Sequence, residues 1–371
     1  MDLALTEQQQ TIQRVFREFA EREIRPVAAD LDRNPRFPKE LFAKVGQLGF
    51  FGMRYPEPEG NGADVMSHIL AVEEIARGSL AVAAACTMQS LMGTYFVHKY
   101  SEDELRERVV KPALAGELIG TICMTEPDAG SDLMSITTRA DREDGRWFVT
   151  GRKTWITSAP VADLFTVFAR TGDEELSIFL IERGASGLVV GRSIDKMGVR
   201  ASLTSEVSFE RTPAMLLGER GQGLSSLREI LAEIRVMTGA LAVGVARAAF
   251  EDAVDYSRER TQFGKPICRF QAIQLYLAEM RTDLQAARQL VQWAAWRSDQ
   301  GMENADEAAM AKLFASEAAL RICDRAARIM ASYGYASEYP VERYLRDVRF
   351  TLIGGGTSEI LKINVAKGLF R

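Results

Sequence analysis

Between about residues 120 and 215 the apolar residues come in short, closely spaced runs, and on either side they recur with the period of a helix. Leu164–Ala169, Leu176–Ile181, Gly187–Val190 and Ser205–Phe209 are rich in Val, Ile, Phe and Thr. Asp144-Gly145 sits between alternating segments, and Trp147-Phe148-Val149 has strand composition. Strands this short and this close together turn back on one another, so they build a small barrel or sandwich and not a parallel sheet wound by helices.

The flanks are helical. Thr6 with Gln9 is a capping-box start, and Ile12, Val15, Phe16 and Phe19 form one apolar face behind it. Asn34-Pro35 and Phe37-Pro38 break the chain, Leu41–Leu48 forms a second helix closed by Gly49, and Tyr55–Gly62 is a long turn. Helices follow at about 64–77, 80–99 and 102–115. After Pro213 only Pro266 and Pro340 interrupt the chain. Long helices are expected at about 222–258, 270–300 and 304–333, with a last one after Gly354-Gly355-Gly356, lengths that suit an antiparallel bundle. The expected fold class is therefore α+β. A helical domain spans 1–119, a small β-barrel or sandwich 120–218, and a C-terminal four-helix bundle 219–371.

Composition removes several kinds of chemistry. A net charge of −5 over 371 residues gives no electrostatic reason to bind nucleic acid or an acidic membrane surface. The cysteines Cys86, Cys123, Cys268 and Cys323 form no CxxC pair and read as reduced thiols of a cytoplasmic protein. His68 and His98 are the only histidines, which argues against a histidine-rich metal site and against a serine-type triad. No basic-then-apolar leader opens the sequence, and no uninterrupted apolar run is expected to span a bilayer.

Two short pieces carry candidate chemistry. Thr125-Glu126-Pro127-Asp128-Ala129-Gly130-Ser131-Asp132 is too rich in Pro, Gly and small polar residues for a helix interior. Pro127 fixes its own φ, pushes Glu126 towards an extended conformation, and predicts a rigid loop aimed at something polar. Trp155-Ile156-Thr157 follows in the next strand region. A dinucleotide is a reasonable ligand for such loops, yet Gly218–Gly223 follows no parallel strand and reads as a helix entry. Gly354-Gly355-Gly356 leads into a helix without the P-loop lysine, so any nucleotide is held in another way.

With Arg260-Thr261-Gln262-Phe263-Gly264-Lys265, Glu338-Tyr339-Pro340-Val341-Glu342-Arg343 and Gly356-Thr357-Ser358, these motifs resemble the acyl-CoA dehydrogenase family, in order and across essentially the whole chain. The resemblance implies FAD, α,β-desaturation of an acyl-CoA thioester, electrons passed to an electron-transfer flavoprotein, and a homotetramer or homodimer. From the charge and the lack of an apolar span, no nucleic-acid or membrane partner is expected. It places Met124, Thr125 and Ser131 near the isoalloxazine and thioester, and Trp155, Ile156 and Thr157 on the other flavin face and edge. Arg260, Gln262, Phe263 and Gln271 would meet the FAD of a neighbouring subunit, with Arg260 on its pyrophosphate. Thr357 and Glu359 would meet the adenosine half.

The family pattern is broken where it matters most. Its usual catalytic base is a Glu immediately before the Gly-Thr of the last helix, where this chain has Gly355. Other members, such as isovaleryl-CoA and long-chain acyl-CoA dehydrogenases, carry the Glu on an earlier helix just before an Arg. The matching position here is Ile234, before Arg235, with Glu233 one residue earlier. Glu233 is the candidate base and Arg235 a contact for the CoA portion. The alternative keeps fold and FAD but changes the chemistry, to loss of a β-leaving group such as sulfinate or to desaturation of an acyl group held by a carrier protein. Arg328 stands where the family more often has Gln, and Ala331 and Ser332 replace two glycines of a loop near a neighbour's FAD. Ala83 stands where the glutaryl-CoA branch has Arg, so a second carboxylate on the substrate is not expected. Met88, Gln89, Met92, Tyr95 and Phe96 are candidates to line or support an acyl pocket.

Overall fold

A computed structural model describes residues 4–370. The N-terminal helices are α1 (Glu7–Phe19), α2 (Ala28–Arg33), α3 (Lys39–Gln47), α4 (Val65–Gly78), α5 (Leu80–Thr87), α6 (Tyr95–Tyr100), and the short α7 (Asp103–Leu105) and α8 (Lys111–Leu114). The capping box forms as the sequence predicts: the Gln9 N–H donates to Thr6 Oγ1 at 3.2 Å, and the Thr6 N–H to Gln9 Oε1 at 3.0 Å. Gly49 ends the α3 segment at φ 78°, a left-handed conformation that glycine adopts at little cost. Leu80–Tyr100 is long and apolar enough to cross a membrane, contrary to the sequence reading, but 89% of its apolar window is packed inside the protein.

The middle region contains β1 (Gly120–Cys123), β2 (Arg139–Glu143), β3 (Arg146–Thr157), β4 (Leu164–Gly172), β5 (Glu175–Glu182), β6 (Leu188–Ser193) and β7 (Thr204–Leu217). β2 pairs β3, β3 pairs β7, β7 pairs β5, β5 pairs β4, and β4 returns to β2 through Arg139 and Arg170. The ring is closed, so the strands form a barrel, with β1 added beside β4 and β6 beside β7. β7 runs through Pro213, which the sequence reading placed at the end of the strands.

The C-terminal region holds α9 (Gly223–Glu259), α10 (Gln271–Asp299), α11 (Ala305–Met330), α12 (Pro340–Asp347) and α13 (Ser358–Gly368). A small hairpin, β8 (Thr261–Gln262) with β9 (Lys265–Pro266), joins α9 to α10. The bundle faces are lined by alanine: Ala240, Ala246, Ala249, Ala311, Ala315, Ala318 and Ala326 are all buried, which lets the helices approach closely. One apolar core runs through all three regions.

Two polar devices fix the regions against one another. The Gln89 amide donates to Ala113 O at 2.7 Å and Leu118 O at 2.8 Å, and its oxygen accepts from the Gly120 N–H at 2.7 Å. It is fully buried and clasps the start of β1 to the helices, so it does not line a pocket. Arg346 on α12 reaches Asp32 of α2 at 2.6 Å and donates to Met197 O, in the loop after β6, at 3.0 Å.

Candidate active site

β1 leads directly into the Thr125–Asp132 loop, and the loop is braced from inside. Glu126 accepts from the Thr137 N–H at 2.7 Å, the Thr137 hydroxyl at 2.8 Å, the Thr138 N–H at 2.9 Å and Lys153 Nζ at 2.9 Å. Lys153 is completely buried and also donates to Met124 O at 2.9 Å. Burial pushes the Glu126 carboxyl upward, but the hydrogen bonds from Thr138, Lys153 and Thr137 outweigh it and hold the pKa down at about 2. Sequence reasoning took this stretch for a rigid loop. The buried pair that makes it rigid joins residues far apart in the chain.

The Trp155-Ile156-Thr157 segment lies against the same loop. The Thr154 N–H donates to Thr125 O at 2.9 Å, and the Thr121 hydroxyl to Thr157 O at 2.6 Å. The β3–β7 register shifts between Lys153 and Ile156, a bulge in β3 that places Trp155 at φ 59°. The residue is 58% exposed. A large side chain kept in a left-handed conformation and in solvent is strained and exposed, a combination that clusters at ligand sites. The hydroxyls of Thr125 and Ser131 make no hydrogen bond within the described residues, and Met124 is half-buried beside them. Free donors in a fixed loop next to an exposed indole fit a planar, hydrogen-bonding cofactor.

A second group lies at the far end of α9. Glu233 and Arg260 are separated by about 40 Å along the helix at 1.5 Å per residue, so one chain does not bring them into one site. In the β8–β9 hairpin, Phe263 and Gly264 have φ of 49° and 76°, and the Phe263 ring is 93% exposed. Arg260 stacks over Tyr333 with 5.6 Å to the ring centroid and forms no ion pair among the described residues, and Gln262 donates to Thr261 O at 2.7 Å. Gln271 opens α10, exposed. Arg328 is paired with Asp324 at 2.8 Å. Ala331 sits at φ 52°, a conformation the glycine it replaces would adopt more easily.

The third group surrounds the turn before α13. Thr357 caps that helix, accepting from the Ile360 N–H at 3.3 Å, with Glu359 exposed in the first turn. Gly355 has φ 71°, and a Cβ built on it would lie 3.0 Å from Thr238 Oγ1 and 3.9 Å from Ile234 Cγ2. Ile234 and Thr238 are one helical turn apart, so α9 presents both to this turn. Glu233, the next residue round, points elsewhere. Its carboxylate is ion-paired with Arg54 of the loop after α3, which also donates to Ala63 O; the second contact, Nη2 to Oε2, is 3.4 Å. Glu229, a turn earlier, is held by Lys99 and by the Tyr95 hydroxyl.

Arg235 is buried, with its Nε unpartnered, and burial lowers its pKa against the pull of Asp306. Next to it lies Lys312, which the sequence did not single out. Lys312 donates to Gly356 O at 2.6 Å, and burial, with Arg235 adding to it, brings its pKa down to about 8. A recess of about 490 Å³ on the barrel, lined by residues including Trp147, Leu180, Pro213 and Met215, contains none of these groups. No cluster of His, Cys, Asp and Glu suited to a metal occurs among the described residues.

Three family models cover the chain in sequence: acyl-CoA dehydrogenase N-terminal domain over 6–117, middle domain over 121–212, and C-terminal domain over 221–370. Benzylmalonyl-CoA dehydrogenase of Aromatoleum aromaticum is 58% identical over 373 residues, covering 99% of each chain. Among solved structures, butyryl-CoA dehydrogenase from Megasphaera elsdenii superimposes with a TM-score of 0.96 at 35% identity, covering all of both chains. A chain from the structure described as the electron transferring flavoprotein of Acidaminococcus fermentans gives a TM-score of 0.97 at 36% identity, again over all of both chains. A helical, barrel and helical chain with these loops is a flavoprotein oxidoreductase that uses FAD. The chain belongs to the acyl-CoA dehydrogenase family.

Proposed function

We propose that this enzyme oxidises the Cα–Cβ bond of a CoA thioester that carries a carboxylate on Cα, releasing carbon dioxide and the 2-enoyl thioester. The observation that carries this reading is the pair Ile234 and Gly355, which face one another at the two places where the resemblance puts a catalytic Glu, and neither of which accepts a proton. An ordinary saturated thioester must lose its α-proton to a base. A malonyl-type thioester needs none, because breaking the bond from Cα to its carboxylate leaves the same electron pair on Cα. The 58% identity to a benzylmalonyl-CoA dehydrogenase supports a substrate of this class. The second carboxylate argued against from Ala83 is a different one, since in glutaryl thioesters it lies at the far end of the acyl chain.

The step balances without a proton. The Cα–carboxylate bond breaks, its electron pair becomes the Cα–Cβ double bond, and the hydrogen on Cβ leaves with its own pair. FAD supplies the acceptor for that hydride. The Thr125 and Ser131 hydroxyls and the Met124 segment hold the cofactor ring and thioester from one side, and Trp155, Ile156 and Thr157 from the other. Charge-assisted hydrogen bonds from Arg260 hold the pyrophosphate of a second copy's cofactor, with Gln262, Phe263, Gln271 and Arg328 beside it. Thr357 and Glu359 take the adenosine half, and Arg235 serves the CoA portion. The working form is a homodimer or homotetramer in the cytoplasm, and an electron-transfer flavoprotein takes the electrons on.

Anaerobic mixing with paired thioesters tests this. 3-Phenylpropionyl-CoA and its 2-carboxy counterpart differ only in the carboxylate. Bleaching of the visible flavin band with release of one carbon dioxide per flavin is expected from the second alone. Equal bleaching by the saturated partner overturns the reading. That outcome would favour a second one, in which Glu233 is released from Arg54 and serves as base. It is favoured by Glu233 being the carboxylate next in sequence to Ile234, and it requires Glu233→Gln to abolish bleaching with FAD still bound.

A further inference from the structure

A Cβ on Gly355 would meet Thr238 Oγ1 at 3.0 Å and the hydrocarbon of Thr238 and Ile234 at 3.7 and 3.9 Å, with no carboxylate among its nearest neighbours. Ile234 is 4% exposed and presents Cγ2. The Thr238 hydroxyl spends its proton on Ile234 O at 2.8 Å, inside the helix. On the other side of the turn, the Phe350 ring lies 3.0 Å from where a Gly354 Cβ would be. The neighbouring carboxylates on α9 are both occupied, Glu233 by Arg54 and Glu229 by Lys99. The cations beside the turn are Lys312, whose ammonium donates to Gly356 O, and the buried Arg235, next in sequence to Ile234.

We infer that Ile234, with Gly355 opposite, forms an apolar seat for the substrate's own carboxylate and thereby commits the enzyme to decarboxylation. This rests on the substrate reading above. A carboxylate held among hydrocarbon loses much of its hydration. Carbon dioxide is neutral and loses none of it, so a dry seat raises the starting state more than the state in which the charge has left for Cα and the acceptor beyond it. A Glu in the seat would reverse the selection. It would repel the substrate carboxylate and, with its own pKa raised by the same hydrocarbon, remove a proton from Cα of an ordinary acyl thioester. The type of reaction is then set by one side chain on α9, and the rest of the cradle is indifferent to it.

The test is Ile234→Glu in the FAD-loaded enzyme, with Ile234→Gln as the uncharged control of equal size. Mass spectrometry reads exchange of the Cα hydrogens of 3-phenylpropionyl-CoA with D2O, which needs a base at Cα and no net oxidation. Exchange by Ile234→Glu is expected, with none by wild type or Ile234→Gln, together with at least a tenfold fall in carbon dioxide release from the 2-carboxy thioester. Should Ile234→Glu fail to retain FAD, Gly355→Glu carries the same measurement from the opposite wall. Carbon dioxide release by wild type with no exchange by a folded, FAD-loaded Glu variant overturns the seat and leaves the substrate reading intact. No carbon dioxide from wild type overturns both.

Discussion

Ile234 and Gly355 meet across the gap between α9 and the turn before α13, with 3.9 Å between Ile234 Cγ2 and the place a Gly355 Cβ would take. Gly355 is also left-handed, at φ 71°, and the same Cβ would press on Thr238 Oγ1 at 3.0 Å. Gly355→Ala is therefore expected to lower unfolding free energy by about 1–2 kcal/mol from backbone strain. Ile234→Val should cost only about 1 kcal/mol, since it removes one methylene. Urea denaturation of the two variants checks the order; a Gly355→Ala protein as stable as wild type would contradict the strain.

The buried Glu126–Lys153 pair predicts acid sensitivity in the active-site loop. The folded Glu126 pKa of about 2 lies below its ordinary 4.5, so its stabilising contribution is complete above about pH 4.5 and drains away as the pH falls towards 2. Glu126→Gln leaves Lys153 buried without its counter-charge and should cost about 3 kcal/mol at pH 7. The gap between wild type and variant should narrow between pH 4.5 and 2. Urea midpoints measured at pH 7, 4 and 3 would show a constant gap if the pair is not the source.

Trp155 combines strain with exposure. Glycine adopts φ 59° freely, so Trp155→Gly should leave the apoprotein equally stable or up to about 1 kcal/mol more stable. The same change removes an aromatic face from the proposed cofactor cradle and should raise the FAD dissociation constant about tenfold. In apoprotein melting and flavin-fluorescence titration run side by side, FAD affinity should fall with no loss of apoprotein stability; a destabilised apoprotein would contradict the strain.

Asp347 shows the reverse sign to Glu126. It is fully buried and accepts from the Val199 N–H at 2.5 Å. Burial raises its pKa from 3.8 to about 6, against the lowering from that bond and from Arg343. An acid raised in the folded state penalises folding once ionised, so the penalty is absent below about pH 3.8, grows up to about 6 and is constant above. Asp347→Asn can still accept from Val199 and carries no charge. Its stability relative to wild type should improve as pH rises from 4 to 6.5; a flat difference in the urea midpoints would refute this.

Much of the architecture was legible because it rests on local periodicity. The helical runs, the short strands and the left-handed Gly49 each depend on residues close in sequence. The Thr125–Asp132 loop was legible for the same reason, since Pro127 and its small neighbours restrict it directly. What escaped was non-local. The direction of the Glu233 carboxylate depends on Arg54, at a sequence separation of 179. Gln89 looked like one member of an apolar stripe, and its partners at 113, 118 and 120 lie beyond any helical window. Lys312 stands in an alanine-rich helix with nothing near it in sequence to mark it, and its meaning comes from Gly356 and Arg235, both distant in the chain. The exposure of Trp155 follows from a bulge that strand composition does not announce.

Arg346 has a consequence for how the enzyme comes apart. A single guanidinium holds a carboxylate of the first helical region, a carbonyl of the barrel and Glu342 of its own helix. The first helical region, the barrel and the C-terminal helices therefore share one knot, and loosening any of them exposes the other two. Heating should give one calorimetric transition, and fragments cut near residues 120 or 218 should not survive as independent pieces.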